Sequence, residues 1–471
     1  MYLYIYFHFF FSFFLLIIFL YFFELNKNIL FYLNIKYFLL TWVFTLIFIL
    51  YSLYATFLVN PITEAIPFLT LNYNFFFFSF PHYYFPFIYI FLIITTITLL
   101  YAMSFNKTEV YLFTYYTLFI FLAGFGLFFT NSFLYFFFYY ELLLIPSFLI
   151  LYNYAKTRKC VEAAYLMFFW TQFGALFLLF NFIYLFVLTN SSYFLTWYFF
   201  SFSNPQLLLL IFFFFIGFGV KFPIWPFYDW LPKAHVEAST NFSIFLSGVL
   251  VKFAFFGFYK CLLHLYTFFN LSFLYSILFI GLVDSGLKLY YQIDLKKLIA
   301  YATVVEMHWL TLTLLNGQSI LWFVTFTMLI SHAFLSSNFF LIIDSITRRY
   351  KTRSILEING LNNLLPKLYF LLLILLITFL GFPGSLFFIA EFLFFSFFLD
   401  INPLLTLTLL FLLYFFVASC YFKNWFFLLF GYSFWFSNYK VINDIDFKEL
   451  LLISFLTLLV FILGFSNYLF L

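Results

Sequence analysis

Uninterrupted apolar runs recur from one end of the chain to the other, and they leave few folds open. A run of about 20 residues crosses the hydrocarbon core of a bilayer as a helix. Every backbone N–H and C=O in lipid needs an internal partner, so only helices and closed barrels span membranes. We count about fourteen such runs by this length criterion. The sequence therefore predicts an all-α polytopic membrane protein with about fourteen transmembrane helices.

The composition agrees with a membrane location. Of the 471 residues, 67% are hydrophobic and 8% are charged, against about 25% charged in soluble domains. The chain also holds 92 Phe and 39 Tyr. Both can be written with A/T-only codons, so this load indicates an AT-rich genome, such as that of an organelle, rather than an aromatic cofactor site.

Several classes of chemistry have no motif in the chain. Cys160, Cys261 and Cys420 form no CxxC pair, and three thiolates do not complete a four-cysteine site. The sequence contains neither G-x-G-x-x-G nor a P-loop, so it indicates no nucleotide site. We therefore predict no cofactor or metal in this chain and no nucleic-acid partner. The N-terminus opens into an apolar run without a basic region or cleavage site, which predicts a retained first span.

The basic residues are sorted between the connections. Connections after odd-numbered predicted helices carry nearly all of them, which places these connections on the inner face and both termini on the outer face. Two termini on one side require an even number of helices, in agreement with fourteen. These basic residues are Lys27, Lys36, Lys107, Lys156, Arg158, Lys159, Lys233, Lys296, Lys297, Arg348, Arg349, Lys351, Arg353, Lys423, Lys440 and Lys448.

Two predicted spans contain helix breakers. The seventh runs into Lys221-Phe-Pro-Ile-Trp-Pro226, and the twelfth is interrupted by Gly381-Phe-Pro-Gly384. The two breaks lie five helices apart, and an odd offset inverts the topology of the second copy. Paired breaks of this kind in two inverted halves point to a transport pathway.

Three charged residues lie in apolar surroundings where a charge costs at least about 2.5–3.5 kcal/mol. Glu141 is embedded in LYFFFYYELLLIPSF, and it either pairs with a buried lysine or forms an ion pair that only packs helices. Lys221 closes the run 207–222, where the alternative is snorkelling towards the interface. Lys252 has apolar residues for about two turns on either side, so snorkelling does not explain it, and we interpret it as a proton carrier.

Further titratable residues lie between Lys252 and the second break. Glu391 follows that break and is either functional or an interface carboxylate. Glu306, His308 and His332 fall in the tenth and eleventh spans, where they either form a relay or are satisfied structural residues. We predict solvated helix caps for three residues near helix ends, namely Asp284, Lys288 and Asp344.

One segment is close to a family signature. The stretch Trp230–Ala238 (WLPKAHVEA) resembles that of the antiporter-like subunits of respiratory complex I, and further matches follow in order through about Glu141–Phe392. Two departures are Ser239, where the family has proline, and Glu306, where the tenth-helix histidine aligns. The other matching segments are Tyr140–Pro146, Val220–Pro223, Leu250–Lys252 with Gly257, Asp294–Tyr301 and Ser331–Ala333.

The resemblance implies a fold of fourteen helices with two inverted five-helix repeats and broken seventh and twelfth helices. It divides the chain into N-terminal helices (1–110), a first repeat (111–266), a second repeat (267–430) and a C-terminal helix (431–471). It also implies a pair at Glu141 and Lys221, a central lysine at Lys252 and a terminal group at Glu391. A glutamate at that last position is typical of the subunit 4 branch. The sibling subunits 2 and 5 usually have lysine there.

The function implied is proton translocation by a non-redox subunit of NADH:ubiquinone oxidoreductase in the mitochondrial inner membrane. NADH, FMN, iron–sulfur clusters and ubiquinone are then expected in other subunits, and the partners are other membrane-arm subunits and lipids such as cardiolipin. A subunit of a multi-subunit Na⁺/H⁺ antiporter and a passive membrane-arm spacer stay open as alternatives. The predicted relay comprises Glu141, Lys221, Lys252, Glu306, His308, His332 and Glu391.

Overall fold

The computed structural model describes residues 85–105, 110–155, 157–265, 272–315, 319–401, 403–431 and 443–468. The first two predicted spans lie outside these ranges, as does most of a Pro- and Asn-rich segment before residue 85. Within the ranges every regular element is helical, apart from two isolated β-bridges. This agrees with the predicted fold class.

The helices before residue 266 include several short ones, some of which join into longer spans. They are α1 (Phe85–Phe105), α2 (Val110–Phe129), α3 (Phe133–Leu142), α4 (Leu144–Asn153), α5 (Arg158–Thr189), α6 (Thr196–Phe199), α7 (Asn204–Lys221), α8 (Trp230–Glu237), α9 (Thr240–Phe245) and α10 (Val251–Leu265).

The helices after residue 271 include the longest buried span. They are α11 (Ser272–Tyr290), α12 (Leu295–Leu315), α13 (Ser319–Tyr350), α14 (Leu361–Leu364), α15 (Pro366–Phe379), α16 (Leu386–Ile401), α17 (Pro403–Leu410), α18 (Ala418–Phe430) and α19 (Phe447–Tyr468).

Eight helical segments within the described ranges are long and apolar enough to cross a membrane. The most deeply buried are α12, α13 and the continuous span made of α9 and α10. Helix α13 packs against α1, α9, α12, α16 and α19, so it is the centre of the described bundle. The site described below is built mainly on these central helices.

Both predicted helix breaks are present. Helix α7 ends at Lys221, and Pro223 and Pro226 follow before α8 begins; proline lacks the N–H that would continue the helix. Helix α15 ends at Phe379, and Gly381 and Gly384 then adopt φ values of 73° and 97°. That left-handed backbone favours glycine, and α16 starts at Leu386 beyond it.

Two π-helical segments were not predicted. Leu246–Leu250 joins α9 to α10, and Phe411–Val417 joins α17 to α18. A π-turn loosens the i→i−4 pattern and is frequent at functional sites. Each segment adjoins a buried charged side chain described below.

Side chains from distant elements hold the end of α8. The Lys296 Nζ donates to the Ala238 carbonyl at 2.9 Å, and the Arg353 Nη1 donates to the Val236 carbonyl at 2.6 Å. The last carbonyls of a helix lack intrahelical partners, and cations suit them. The short helix after the first break is therefore held from α12 and from the loop after α13.

The predicted solvated cap at Asp344 is wrong. Asp344 is buried inside the end of α13, where it accepts a hydrogen bond from Tyr101 of α1 and pairs with Arg348 Nε at 2.8 Å. Arg348 Nη2 and Arg349 Nη2 lie 2.5 Å and 2.6 Å from the carboxylate of Glu449 on α19. Burial of the Asp344 carboxylate is tolerated because it is paired with Arg348 and hydrogen-bonded to Tyr101.

Candidate functional site

Glu141 of α3 and Lys221 of α7 form an ion pair. The Lys221 Nζ lies 3.2 Å from Glu141 Oε1, and the side chains are 13% and 21% exposed. The same Nζ donates to the Tyr140 carbonyl at 3.2 Å and sits 3.5 Å from the centre of the Tyr140 ring. Gln172 of α5 donates to the other carboxylate oxygen at 3.0 Å. The predicted contact is confirmed, and Lys221 points to a carboxylate instead of snorkelling.

Two glycines let the helices that carry this pair approach closely. A Cβ on Gly174 of α5 would lie 2.8 Å from the Gly217 carbonyl of α7, and a Cβ on Gly217 would lie 2.6 Å from the Leu178 side chain. A small cavity of about 40 Å³ adjoins Lys221, with Ser147 and Thr171 in its lining. A volume of that size has room for about two or three water molecules.

Lys252 is buried immediately after the first π-helical segment. Its Nζ donates to the carbonyl of Ser247, which belongs to that segment, and lies 2.7 Å from His332 Nδ1 of α13. An ammonium donates three hydrogen bonds and accepts none. When Lys252 is charged, His332 Nδ1 therefore accepts, and the ring proton resides on Nε2.

His332 connects Lys252 to Glu306. The His332 Nε2 lies 3.6 Å from Glu306 Oε2 of α12, and both side chains are almost fully buried. The neutral imidazole accepts at one nitrogen and donates at the other. Lys252, His332 and Glu306 therefore lie in one row, which we call the central row. A hydrogen bond joins the first two, and the 3.6 Å between His332 and Glu306 is longer than a hydrogen bond.

His308 lies outside the central row. Its Nε2 accepts a hydrogen bond from the Trp225 backbone N–H at 2.8 Å, and its Nδ1 donates to the Val304 carbonyl at 2.7 Å. Residues two apart on a helix are about 200° apart around its axis, so Glu306 and His308 face different sides. Glu306, and not His308, is the residue of α12 that meets His332.

Glu391 lies beside the second break. Its Oε2 accepts a hydrogen bond from the Tyr414 hydroxyl at 2.6 Å, and Tyr414 belongs to the second π-helical segment. A Cβ on Gly381 would lie 2.1 Å from Glu391 Oε2. The glycine is thus needed for its backbone conformation and for the space that it leaves for the carboxylate.

Among the described residues no hydrogen bond joins Glu306 to Glu391. Trp309 of α12 packs instead against Phe394 and Phe395 of α16, with ring centroids 5.5 Å and 5.8 Å apart. The two carboxylates are therefore neighbours in the helix bundle without direct contact.

Three residues of the candidate site were not predicted from the sequence. His235 is fully buried in α8, stacks on Phe340 at 4.7 Å, and both its ring nitrogens are without a hydrogen-bond partner within the described ranges. Gln172 and Tyr414 complete the two carboxylate sites. Only His235 stood inside a recognisable motif, WLPKAHVEA; an uncharged Gln or Tyr in an apolar run carries no comparable signal.

Asp284 and Lys288 form a half-exposed cluster near the end of α11. Lys288 Nζ lies 3.2 Å from Asp284 Oδ2 and 3.3 Å from Asp229 Oδ1, and it donates a hydrogen bond to the Tyr228 hydroxyl at 2.6 Å. Partial exposure agrees with the predicted solvated position. The central row does not include this cluster.

Comparison with known proteins gives one consistent family. A family profile described as "NADH:quinone oxidoreductase/Mrp antiporter, TM" matches residues 130–418. NADH-ubiquinone oxidoreductase chain 4 of Paramecium tetraurelia is 38% identical over 282 residues, 60% of each chain. NADH-quinone oxidoreductase subunit M of Rickettsia felis is 30% identical over 298 residues, 62% of this chain and 60% of that protein. The matches thus span about 60% of the relatives' length.

Solved structures share the fold at lower identity. A chain of the Mrp complex from a Dietzia species has a TM-score of 0.71 and 15% identity, covering 82% of this chain and 81% of that one. A chain of respiratory complex I from Thermus thermophilus has a TM-score of 0.70 and 22% identity, and the match covers 80% of this chain and 81% of that one. Because the family match extends over more than half of the residues, the chain belongs to the NADH:quinone oxidoreductase/Mrp antiporter transmembrane family.

Proposed function

We propose that this chain is a proton-translocating, non-redox membrane-arm subunit of an NADH:ubiquinone oxidoreductase of the complex I type. The observation that carries the proposal is the central row, in which a buried lysine is hydrogen-bonded to an imidazole and the imidazole lies 3.6 Å from a buried carboxylate. Ionisable groups are expensive in a membrane and mark ion or proton pathways. The names of the curated relatives support the choice of assembly.

The ion pair of Glu141 and Lys221 acts as the input. While the pair is closed, the two charges largely cancel at Lys252. When it opens, Lys252 feels a changed field; at an effective dielectric near 20, a unit charge ~6 Å away is worth roughly 3 kcal/mol. That energy is enough to load or unload a lysine, and redox chemistry in other subunits supplies it.

The central row then moves one proton. Lys252 gives a proton to His332 Nδ1, and the proton on His332 Nε2 passes to the Glu306 carboxylate. The imidazole is left as the other tautomer and must turn or exchange its proton before the next transfer. Because the groups are coupled, their titration belongs to the row and not to one residue.

Glu391 is the terminal acceptor in this scheme. Tyr414 donates to its carboxylate and holds it beside the second break. His308 serves a different purpose, because both its nitrogens are engaged and it supports the Trp225 backbone inside the first break. We therefore propose a relay of Lys252, His332, Glu306 and Glu391.

The remaining architecture follows from the same proposal. The whole chain has fourteen helices with two inverted repeats at 111–266 and 267–430, between N-terminal helices (1–110) and a last segment (431–471). NADH, FMN, iron–sulfur clusters and ubiquinone belong to other subunits. The chain lies in the mitochondrial inner membrane beside sibling antiporter-like subunits and cardiolipin, with both termini on the intermembrane side; the sorting of Lys and Arg supports this orientation.

The deciding experiment replaces Lys252 with Ala. Because Lys252 starts the central row, proton pumping by this module should be lost while the complex still assembles. The measurement is the proton-to-electron ratio in coupled membranes. Lys423→Ala is the control, because Lys423 is exposed on α18 and its Nζ lies 3.7 Å from the centre of the Tyr290 ring, outside the central row. A normal ratio in Lys252→Ala would reject the proposal in favour of a passive spacer.

A subunit of a multi-subunit Na⁺/H⁺ antiporter is the second candidate. The family description and the Dietzia structure both include Mrp-type proteins. Replacing Na⁺ by choline in the pumping assay separates the two functions. Pumping that depends on Na⁺ supports the antiporter, and pumping that does not supports the complex I subunit.

A further inference from the structure

A second lysine is buried on the same helix as Lys252. Lys260 lies eight residues further along α10, which is ~12 Å at a helical rise of ~1.5 Å per residue, and only 3% of it is exposed. No part of the proposed relay uses it.

The contacts of Lys260 are those that an ammonium makes. Its Nζ donates at 2.6 Å to the carbonyl of Thr130, which directly follows the C-terminus of α2. A helix C-terminus has partial negative charge and unpaired carbonyls. The Nζ also lies 5.0 Å from the ring centre of Phe194 and 5.7 Å from those of Phe136 and Phe256, and ring faces attract cations.

Aromatic rings fill the space between Lys252 and Lys260. Phe256, half-way between them in sequence, packs edge-on against Phe87 and Phe128 with centroids 4.9 Å apart in each case. Phe253 packs against Phe128 at 5.3 Å and Phe91 at 5.2 Å. Close-packed phenyl rings offer no hydrogen-bonding group to a proton or to water. The direction from Lys252 towards His332, in contrast, has a partner at 2.7 Å.

We propose that Lys260 and this aromatic cluster form an electrostatic plug, which closes the route along α10 and confines protons from Lys252 to the central row. The rings exclude water, and the ammonium beyond them repels a proton that enters from the C-terminal end of α10. Fixed positive charge and apolar constriction are established means of excluding protons from a membrane path. The plug rests on the proposed proton translocation.

Three substitutions at Lys260 separate charge from hydrogen bonding. Arg keeps a permanent charge and a donor, Gln keeps a donor without the charge, and Met keeps neither. The assembled complex is placed in liposomes with electron transfer inhibited, and passive proton leak is measured with a pH dye under an imposed gradient. This readout does not require pumping, so it is independent of the Lys252→Ala result.

We expect the passive proton leak of Lys260→Arg to equal that of the unmodified chain. In Lys260→Gln and Lys260→Met the proton leak should be about tenfold faster. Tenfold is the factor that a unit charge at ~12 Å contributes at an effective dielectric near 20. A Lys260→Gln complex as tight as the unmodified one overturns the plug. So does a Lys260→Arg complex that assembles but pumps less, because Lys260 is then a proton carrier. Failure of both neutral variants to assemble, with Arg normal, also overturns it and assigns Lys260 to helix anchoring.

Discussion

Glu306 and His308 are two residues apart on α12, yet they contact different elements of the fold. Glu306 faces His332 across 3.6 Å, whereas His308 accepts a hydrogen bond from the Trp225 backbone inside the first helix break. A carboxylate of α12 therefore holds the position next to His332. The central row ends in an acid, which takes up a proton to become neutral.

This geometry predicts that two substitutions impair different properties, one proton pumping and the other assembly. Glu306→Gln removes the proton acceptor while keeping the shape, so it should lower the proton-to-electron ratio severalfold without loss of complex. His308→Phe removes an acceptor from a buried N–H and should lower the amount of assembled complex, at a cost of about 1–3 kcal/mol. Blue-native gels and pumping assays measure the two effects. The assignment fails if His308→Phe assembles normally and loses only pumping.

The input pair gives a second prediction. Glu141→Gln leaves Lys221 without its carboxylate at a site that is only 13% exposed, and an unpaired charge at such a site is costly. Activity and pumping should fall several-fold, and more than in Glu162→Gln, where the exposed partner Arg158 is 93% accessible. Equal activities of the two variants would show that the pair is not the input.

Gly381 gives a prediction about the second break. In Gly381→Ala the new Cβ meets Glu391 Oε2 at 2.1 Å, and the residue has a φ of 73° that alanine rarely adopts. Clash and strain together should reduce assembly and displace Glu391 from Tyr414. Gly219→Ala, at the first break, is the matched control because its Cβ approaches only Ile224 at 3.2 Å. Thermal stability of the complex and its pumping ratio are the measurements.

Membrane orientation can be tested with single cysteines. Leu356 is 63% exposed and lies in the loop that follows the basic end of α13, which we place on the inner face. Ser201, in the loop between α6 and α7, is placed on the outer face. A membrane-impermeant maleimide added from the intermembrane side should label Ser201→Cys and not Leu356→Cys. The reverse pattern would invert the topology.

The sequence predicts most of the described fold because the bilayer imposes strong rules. Apolar length identifies spans, and Pro223 and Pro226 or Gly381 and Gly384 identify the breaks. The contact of Glu141 with Lys221 also follows, because each charge alone is expensive at depth. The positions of the buried charges can thus be identified from the sequence alone.

Other features depend on rotation and depth, which the spacing of charges does not reveal. The sequence alone does not say whether Glu306 or His308 faces His332, since that depends on how α12 is turned against α13. The burial of Asp344 was missed because its partner Tyr101 is more than 200 residues away in sequence. The π-helical segments were missed because Leu246–Leu250 and Phe411–Val417 contain no residue type that separates them from ordinary helix.

The central row joins residues from either side of positions 266–271. Lys252 precedes them, and Glu306 and His332 follow them, so a chain divided there would yield two fragments with an incomplete set of proton carriers each. Activity would return only when the fragments recombine, as a genetic complementation of two inactive pieces.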